Sequence, residues 1–408
     1  HFLMRFLITD RCRGRRRCLR SPVSPRGLIW LAACSWLLLG ARLAFAQDSQ
    51  IAKHAGIRDF IEYWSASRLF VSGGNPYSPA ELMVLQQRIG WDGAAPLIMW
   101  NPPWTLLFTL PFGYLDFIAG QFVWLVVHVI LILFSVQQLW RIYGKTERPS
   151  PLSWVLALTF VPTLFVLIIG QITPLILAGL TLLLDSERKQ KRWTMGAALV
   201  ILSMKPHLLY LFWIVFALWI WEERQWRVIS VAALIGVVAV LIPLLFNPNI
   251  YAQYLSLYEA PDIWKPSDWP VPTLRNVIKV FLHVDQTWIQ WAPTIVAGAW
   301  VVYYWHGHKH RWTWLERLPL IVLVSVTSSV FVWTYDLIVV LPAIVEGAVW
   351  IRNRPAPWHQ SWAARAYLVI NVSHLLLRYW LAEDLWYFWL GPALLATYLV
   401  FQRERKTK

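Results

Sequence analysis

Along this chain, apolar runs of similar length alternate with short polar interruptions, many of them basic. Runs of about 17–25 apolar residues are long enough to cross a bilayer as helices. In lipid every backbone group must bond within its own segment, so helices are the expected form. The runs lie near residues 27–46, 100–115, 117–140, 152–168, 172–184, 194–220, 228–246, 287–305, 319–334, 336–350, 364–381 and 386–402. This pattern predicts an all-α polytopic membrane protein with about twelve transmembrane helices, forming a single integral domain over 1–408. Two longer polar stretches, 48–98 and 247–285, read as loops on a common outer side. The first contains "FIEYWSASRLF" and "AELMVLQQRI", amphipathic pieces of the kind that lie in the membrane interface as helices. The second carries "EAPDIWKPSDWPVPTLRN", whose prolines make it a structured loop.

Composition agrees with a lipid environment. Hydrophobic residues make up 58% of the 408 and charged residues only 14%, where a soluble chain has about a quarter charged. The 29 Trp and 15 Tyr suit interfacial belts. The net charge of +15 would suggest nucleic acid in a soluble protein. Here the basic residues fall in short clusters between apolar runs: "RCRGRRRCLR", "EERQWR", "HGHKHRW", "RNRPAPWHQ" and "RERKTK". That is the positive-inside pattern, so no nucleic-acid partner is expected, and residues 1–26 are read as cytosolic. Twelve simple crossings, however, place "RIYGKTERPS" and "SERKQKR" outside, against the same rule. Re-entrant passages over 152–184 and 194–220 offer one way out. Cys12, Cys18 and Cys34 show neither a disulfide framework nor zinc spacing. "AFAQ" at the end of the first run resembles a signal-peptidase site, but the run is long for a signal peptide and Arg42 interrupts it. It is read as the first membrane helix. His1 at the head of the chain makes Met4 a candidate start.

Ionisable groups at membrane depth are costly and mark function. Asp59 opens the outer loop, and Asn101 opens "NPPW". Gln171 lies in "GQITP", between two short runs, while Lys205 and His207 lie in "MKPHLL" within a long one. Arg275 closes the second loop in "VPTLRN", and Trp333, Tyr335 and Asp336 interrupt a run in "VWTYDLIVVLP". Each has a plainer reading. Asp59 can cap a helix, Pro and Asn punctuate loops, and Lys205 can snorkel to the surface. Their joint occurrence at the ends and breaks of apolar runs is harder to assign to packing.

Together these residues resemble glycosyltransferase family 87, membrane enzymes of the GT-C class related to polyprenol-phosphate-mannose-dependent mannosyltransferases. The family pattern of Asp-Phe, then Tyr or Trp, then Gly-Asn/Asp-Pro-Tyr reads here "DFIEYWSASRLFVSGGNPY", including Tyr63, Asn75 and Tyr77. Asn101-Pro102-Pro103 stands where the family has Tyr-Pro-Pro, and Gly170-Gln171, Lys205-Pro206 and "VWTYD" match later motifs over about residues 55–345. Members often carry His where this chain has Tyr335-Asp336.

The resemblance implies a GT-C-type fold. It also implies inverting transfer of a sugar, a hexose such as mannose, from a polyprenyl-phosphate donor to a lipid or glycan acceptor hydroxyl. The expected setting is the periplasmic or extracellular side of a bacterial inner membrane. A hydroxyl needs a base as the bond forms, and Asp59 is the candidate. The departing phosphate needs cations rather than a proton. Lys205, Arg275, His207 and Arg68 are the candidates, Arg as a bidentate fork and Lys as a point charge. Tyr63, Asn75, Tyr77, Asn101, Gln171, Trp333, Tyr335 and Asp336 are candidates for lining the substrate pocket. Glu62, three residues after Asp59, reads as a solvated carboxylate. Catalysis without metal or other cofactor is therefore expected, and no obligate protein partner is evident. The rival class is a transporter or lipid-linked sugar flippase, since broken helices with polar residues also mark transporters. No inverted repeat is apparent, and the polar motifs gather at loop edges. The topology is testable. Single cysteines at Ser78 and Ser267 should both react with an impermeant thiol reagent in intact cells, and protection of either would overturn the assignment of both loops to one side.

Overall fold

The computed structural model describes residues 58–259, 265–266, 269–284 and 286–407. The expected first helix at 27–46, the three cysteines and the basic stretch 1–26 lie outside the described residues. Among the described residues all regular structure is helical. In chain order the α-helices are α1 Arg58–Val71, α2 Pro79–Arg88, α3 Leu106–Gly113, α4 Phe117–Gly144, α5 Pro151–Thr159 and α6 Val161–Ile169. There follow α7 Thr173–Lys189, α8 Arg192–Leu202, α9 Tyr210–Glu222, α10 Trp226–Phe246, α11 Ile250–Glu259 and α12 Leu274–Phe281. The last six are α13 Thr287–Gln290, α14 Ala292–His308, α15 Trp314–Ser328, α16 Leu341–Asn353, α17 Trp362–Trp380 and α18 Leu390–Lys406. Short 3₁₀ turns join several of them, and the turn Thr334–Val340 runs directly into α16.

Four helical stretches among the described residues are long and apolar enough to cross a membrane: Phe117–Gly144, Trp226–Phe246, Thr334–Asn353 and Asp384–Lys406. The count becomes six if two bent pairs are each taken as one span. This is a polytopic membrane protein. One bent pair is α5–α6, which turns by 71° at Phe160, where the backbone is extended and Pro162 follows. The other is α8 with Pro206–Glu222, which turns by 119° around Lys205-Pro206.

The structure differs from a run of simple crossings in two places. The stretch 100–115 was expected to span. It forms a 3₁₀ turn, Pro103–Thr105, and the eight-residue α3, only about 12 Å long at ~1.5 Å per residue. This short helix lies against α1 so closely that a Cβ on Gly113 would sit 2.6 Å from the Ser67 carbonyl oxygen. The stretch 194–220 was also expected to cross once. Instead it goes out and comes back, because Arg192 at its start hydrogen-bonds Gln225 just after its end, at 2.9 Å.

The two differences together remove the conflict over the basic loops, since without a crossing at 100–115 "RIYGKTERPS" and "SERKQKR" change sides, and the return of 194–220 keeps "EERQWR" with them. Glu147 meets Arg188 at 3.6 Å, and Glu222 meets Lys309 at 2.9 Å. The Glu187 carboxylate accepts from the Trp314 and Leu315 amides at 2.6 and 2.7 Å, capping α15 from outside. Arg352 reaches Ser150 at 2.8 Å, and Glu404 accepts from Ser361 at 2.7 Å. "RIYGKTERPS", "SERKQKR", "EERQWR", "HGHKHRW", "RNRPAPWHQ" and "RERKTK" therefore share one end of the bundle. The polar motifs sit at the other end. α7 connects the two, from Thr173 to Lys189, and its 17 residues measure about 25 Å.

At the motif end, Gly170 is the point where backbone meets backbone. It ends α6 in the left-handed conformation, with φ at 79°. A Cβ there would lie 3.1 Å from Phe60 Cβ and 3.3 Å from Phe60 N. Phe60 is fully buried, with its ring against Phe112, Phe117 and Trp124. The indole of Trp124 donates to the Gly170 carbonyl at 2.8 Å. Substitution Gly170→Ala should therefore destabilise the fold by about 1–2 kcal/mol from the left-handed backbone alone, and more through contact with Phe60. A lower thermal unfolding midpoint in detergent is the expected reading, and an unchanged midpoint would contradict it.

Candidate active site

Two residues one helical turn apart on α1 face the same way. Asp59 Oδ2 accepts from Gln171 Nε2 at 2.7 Å, and the Tyr63 hydroxyl donates to Gln171 Oε1. The Gln171 oxygen also accepts from the Ile172 amide at 3.0 Å. Two donors on the oxygen and a carboxylate on the nitrogen set which way the amide points. Gln171 reaches Asp59 because Gly170, just before it, allows the close approach to Phe60. The Asp59 side chain is thus bonded to a group 112 positions away, which is more than the helix-cap reading asks of it.

A second polar knot lies beside the first. Lys205 Nζ is 2.8 Å from Asp336 Oδ1, Thr173 Oγ1 is 2.6 Å from the same oxygen, and Lys205 Nζ is 3.2 Å from Thr173 Oγ1. The threonine hydroxyl donates to the carboxylate and accepts from the ammonium, closing a triangle. The Lys205 and Asp336 side chains are 7% and 0% exposed. The ammonium uses two of its three donors here. The other Asp336 oxygen accepts from the Trp333 amide at 3.1 Å, at the head of the turn Thr334–Val340. Tyr335 joins the two knots. Its ring lies 5.6 Å from Lys205 Nζ and stacks on Trp333 at 6.0 Å, and its hydroxyl is near enough to Asp59 to favour the ionised carboxylate.

Other motifs support this pair of knots from outside. Asn101 Nδ2 donates to the Met204 carbonyl at 3.0 Å and Trp104 Nε1 to Ser203 Oγ at 3.1 Å, so "NPPW" braces the turn that carries Lys205. The His207 ring meets Phe331 edge-on at 5.3 Å, and its carbonyl accepts from Ser329 at 3.0 Å. Trp333 also packs against Trp269 at 6.0 Å.

Burial pushes the Asp59 carboxyl above its ordinary value, opposed by Arg58, Gln171, Lys205 and Tyr335 in that order. Glu62 is pushed well above its own, first by burial and then by the charge of Asp59. Glu62 was expected to be solvated. It is half-buried instead, within electrostatic reach of Asp59, Lys205 and Tyr63.

Arg68, Asn75 and Tyr77 make their hydrogen bonds and ring contacts outside these two knots. Arg68 sits in the last turn of α1, roughly 13 Å along the helix from Asp59, and donates to the Gly113 carbonyl at 3.0 Å. Asn75 and Tyr77 build a local turn. Asn75 Oδ1 accepts from the Tyr77 amide at 2.9 Å, its own amide donates to Glu81 at 3.1 Å, and the Tyr77 ring packs edge-on against Tyr254. Arg275 lies in the first turn of α12, which Thr273 caps and which packs against α14 and α15. Two residues escaped the sequence reading. Thr173 was visible within "GQITP", but Trp124 sits inside a long apolar run and gave no signal of its own.

The chain matches the sequence profile of glycosyltransferase family 87 over residues 100–333, more than half its length. It belongs to that family and is a membrane glycosyltransferase. Comparison with curated proteins and with solved structures finds no match. The matched range contains Asn101, Gln171, Lys205, Arg275 and Trp333, and Asp59 precedes it.

The charge triangle makes a sharp prediction. Lys205→Met leaves a fully buried carboxylate unpaired and should cost about 3–5 kcal/mol of stability. The double variant Lys205→Met/Asp336→Leu should recover much of that loss in thermal unfolding. A single variant as stable as the wild type would show that the pair does not hold this end of the bundle together.

Proposed function

We propose that this enzyme transfers a hexose such as mannose from a polyprenyl-phosphate donor to a hydroxyl of a lipid or glycan acceptor, with inversion, on the outer face of a bacterial inner membrane. The architecture is of GT-C type and the chemistry needs no metal. The single observation that carries the mechanism is the Asp59 carboxylate, held by Gln171 at the end of the bundle opposite the basic loops. Positive loops stay in the cytosol, so this end faces out.

In the reaction Asp59 takes the acceptor hydroxyl proton as the new bond from that oxygen to the anomeric carbon forms. The bond from the anomeric carbon to the phosphate oxygen breaks, and polyprenyl phosphate leaves with the electron pair. Asp336 already balances the charge of Lys205, so Lys205 assists the phosphate through its remaining N–H. Arg275 and His207 remain the other candidates on the donor side, and Lys205→Ala or Arg275→Ala should weaken use of the donor. Trp333 and Tyr335 offer aromatic faces to a sugar.

Asp59→Asn is the decisive variant. Asn keeps an oxygen for Gln171 but cannot accept the proton, and loss of a general base is typically worth about 10²–10⁴-fold in rate. Transfer should therefore collapse while folding and donor binding persist, and near wild-type transfer would reduce Asp59 to a structural role. The acid limb of kcat/KM should lie above the ordinary aspartate value of ~3.9, because burial favours the protonated form. Glu62→Gln should leave both transfer and the position of that limb close to wild type, since burial and the charge of Asp59 push Glu62 well above its ordinary value and leave it already neutral where Asp59 titrates.

A further inference from the structure

The turn Thr334–Val340 carries Tyr335 and Asp336 into the site, yet it is a 3₁₀ segment of seven residues. Such segments rarely exceed three or four residues, because their internal hydrogen bonds are poorly aligned. Its first amides, like those of any helical turn, have no backbone acceptor within it, so side chains must supply them. Asp336 supplies one for Trp333. Asp384, fifty positions further on, supplies the other, since its Oδ2 accepts from the Thr334 amide at 3.3 Å and from the Thr334 hydroxyl at 2.8 Å.

Asp384 begins the 3₁₀ turn Asp384–Tyr387 between α17 and α18. Its other oxygen receives the Arg378 guanidinium from the last turn of α17. Both side chains are largely buried, at 8% and 12% exposure. The guanidinium lies 4.6 Å over the Phe165 ring and 4.7 Å over Tyr387. Phe165 belongs to α6, the helix that ends at Gly170-Gln171. The Arg378–Asp384 pair therefore touches both limbs that meet at Asp59, one through Thr334 and the other through Phe165. It also lies beyond the residues that the family profile matches.

We propose that Asp384, clamped by Arg378, is a positioning residue for sugar transfer: it fixes the start of the Thr334–Val340 turn and so holds Tyr335 against Asp59 and Asp336 against Lys205. This rests on the reading of Asp59 as the base. Asp384 touches no reacting atom, and its effect is to keep the Tyr335 hydroxyl beside the carboxylate.

The test compares Asp384→Ala, Thr334→Val and Thr334→Ser in the full-length protein, with kcat, KM for donor, the pH profile and thermal unfolding measured for each. Loss of placement at a reacting centre can reach about 10²-fold, so Asp384→Ala should lower kcat by up to that factor and change donor KM far less. Its acid limb should move to higher pH. Asp59 loses the nearby Tyr335 hydroxyl, which favours its ionised form, while Arg58, Gln171, Lys205 and Glu62 still face it. Thr334→Val should show a weaker version of both effects, and Thr334→Ser, which keeps the hydroxyl, should stay near wild type. If Asp384→Ala does not fold, the two Thr334 variants decide the matter alone. Wild-type kcat and an unmoved acid limb in every folded variant, beside an inactive Asp59→Asn, would overturn the positioning role and leave the base intact. An active Asp59→Asn would instead remove the base on which the role depends.

Discussion

Burying an ammonium and a carboxylate at the end of an apolar bundle is tolerable only if each finds the other. Lys205 and Asp336 meet that condition with Thr173 closing the triangle, and three breaks in the helical pattern are drawn to one place as a result. The short run ending at Gly170 passes to α7 beside Thr173. The out-and-back passage turns at Lys205. The 3₁₀ segment entering α16 begins next to Asp336. Isolated charges at that depth would cost several kcal/mol each, so the three turns have no comparably stable arrangement apart from one another.

The site grows out of that knot. Gln171 lies two residues before Thr173, and Tyr335 lies one before Asp336. Anchoring Thr173 and Asp336 therefore brings both neighbours to the same side of α1. Gly170 lets the α6 end approach Phe60 without a side chain in the way, and this sets Gln171 within hydrogen-bond distance of Asp59. The carboxylate is thus oriented by Gln171 and flanked by Tyr335, on two elements that the ion pair has already placed. Such preorganisation suits a base that must meet a hydroxyl in one geometry.

The opposite end of the molecule follows a different rule. Six basic clusters sit together there, interleaved with Glu147, Glu187, Glu222 and Glu404. Their grouping depends on the return of residues 192–222, which keeps "SERKQKR" and "EERQWR" on one side. Length and hydropathy cannot distinguish a long crossing from a short excursion and return, since both are apolar throughout. The turn is marked only by Lys205-Pro206, where Pro disfavours a helical residue before it and the lysine carries charge into the interior.

The sequence alone determined the environment, the helical class and the addresses of the costly groups. Apolar run length answers to bilayer thickness, basic clusters answer to membrane sidedness, and both are local properties. It also singled out Asp59, Gln171, Lys205, Tyr335 and Asp336, because a polar residue at a break stands out against apolar neighbours. What it left open was pairing. Lys205 read as a cation for phosphate, and the tertiary structure also pairs it with Asp336 at 2.8 Å. Glu62 read as solvated, and packing brings it beside Asp59. Asn75 and Tyr77 looked like site residues and fold into their own turn. Which buried group faces which is decided through space, across separations such as the 131 positions from Lys205 to Asp336, and local hydropathy carries no record of it.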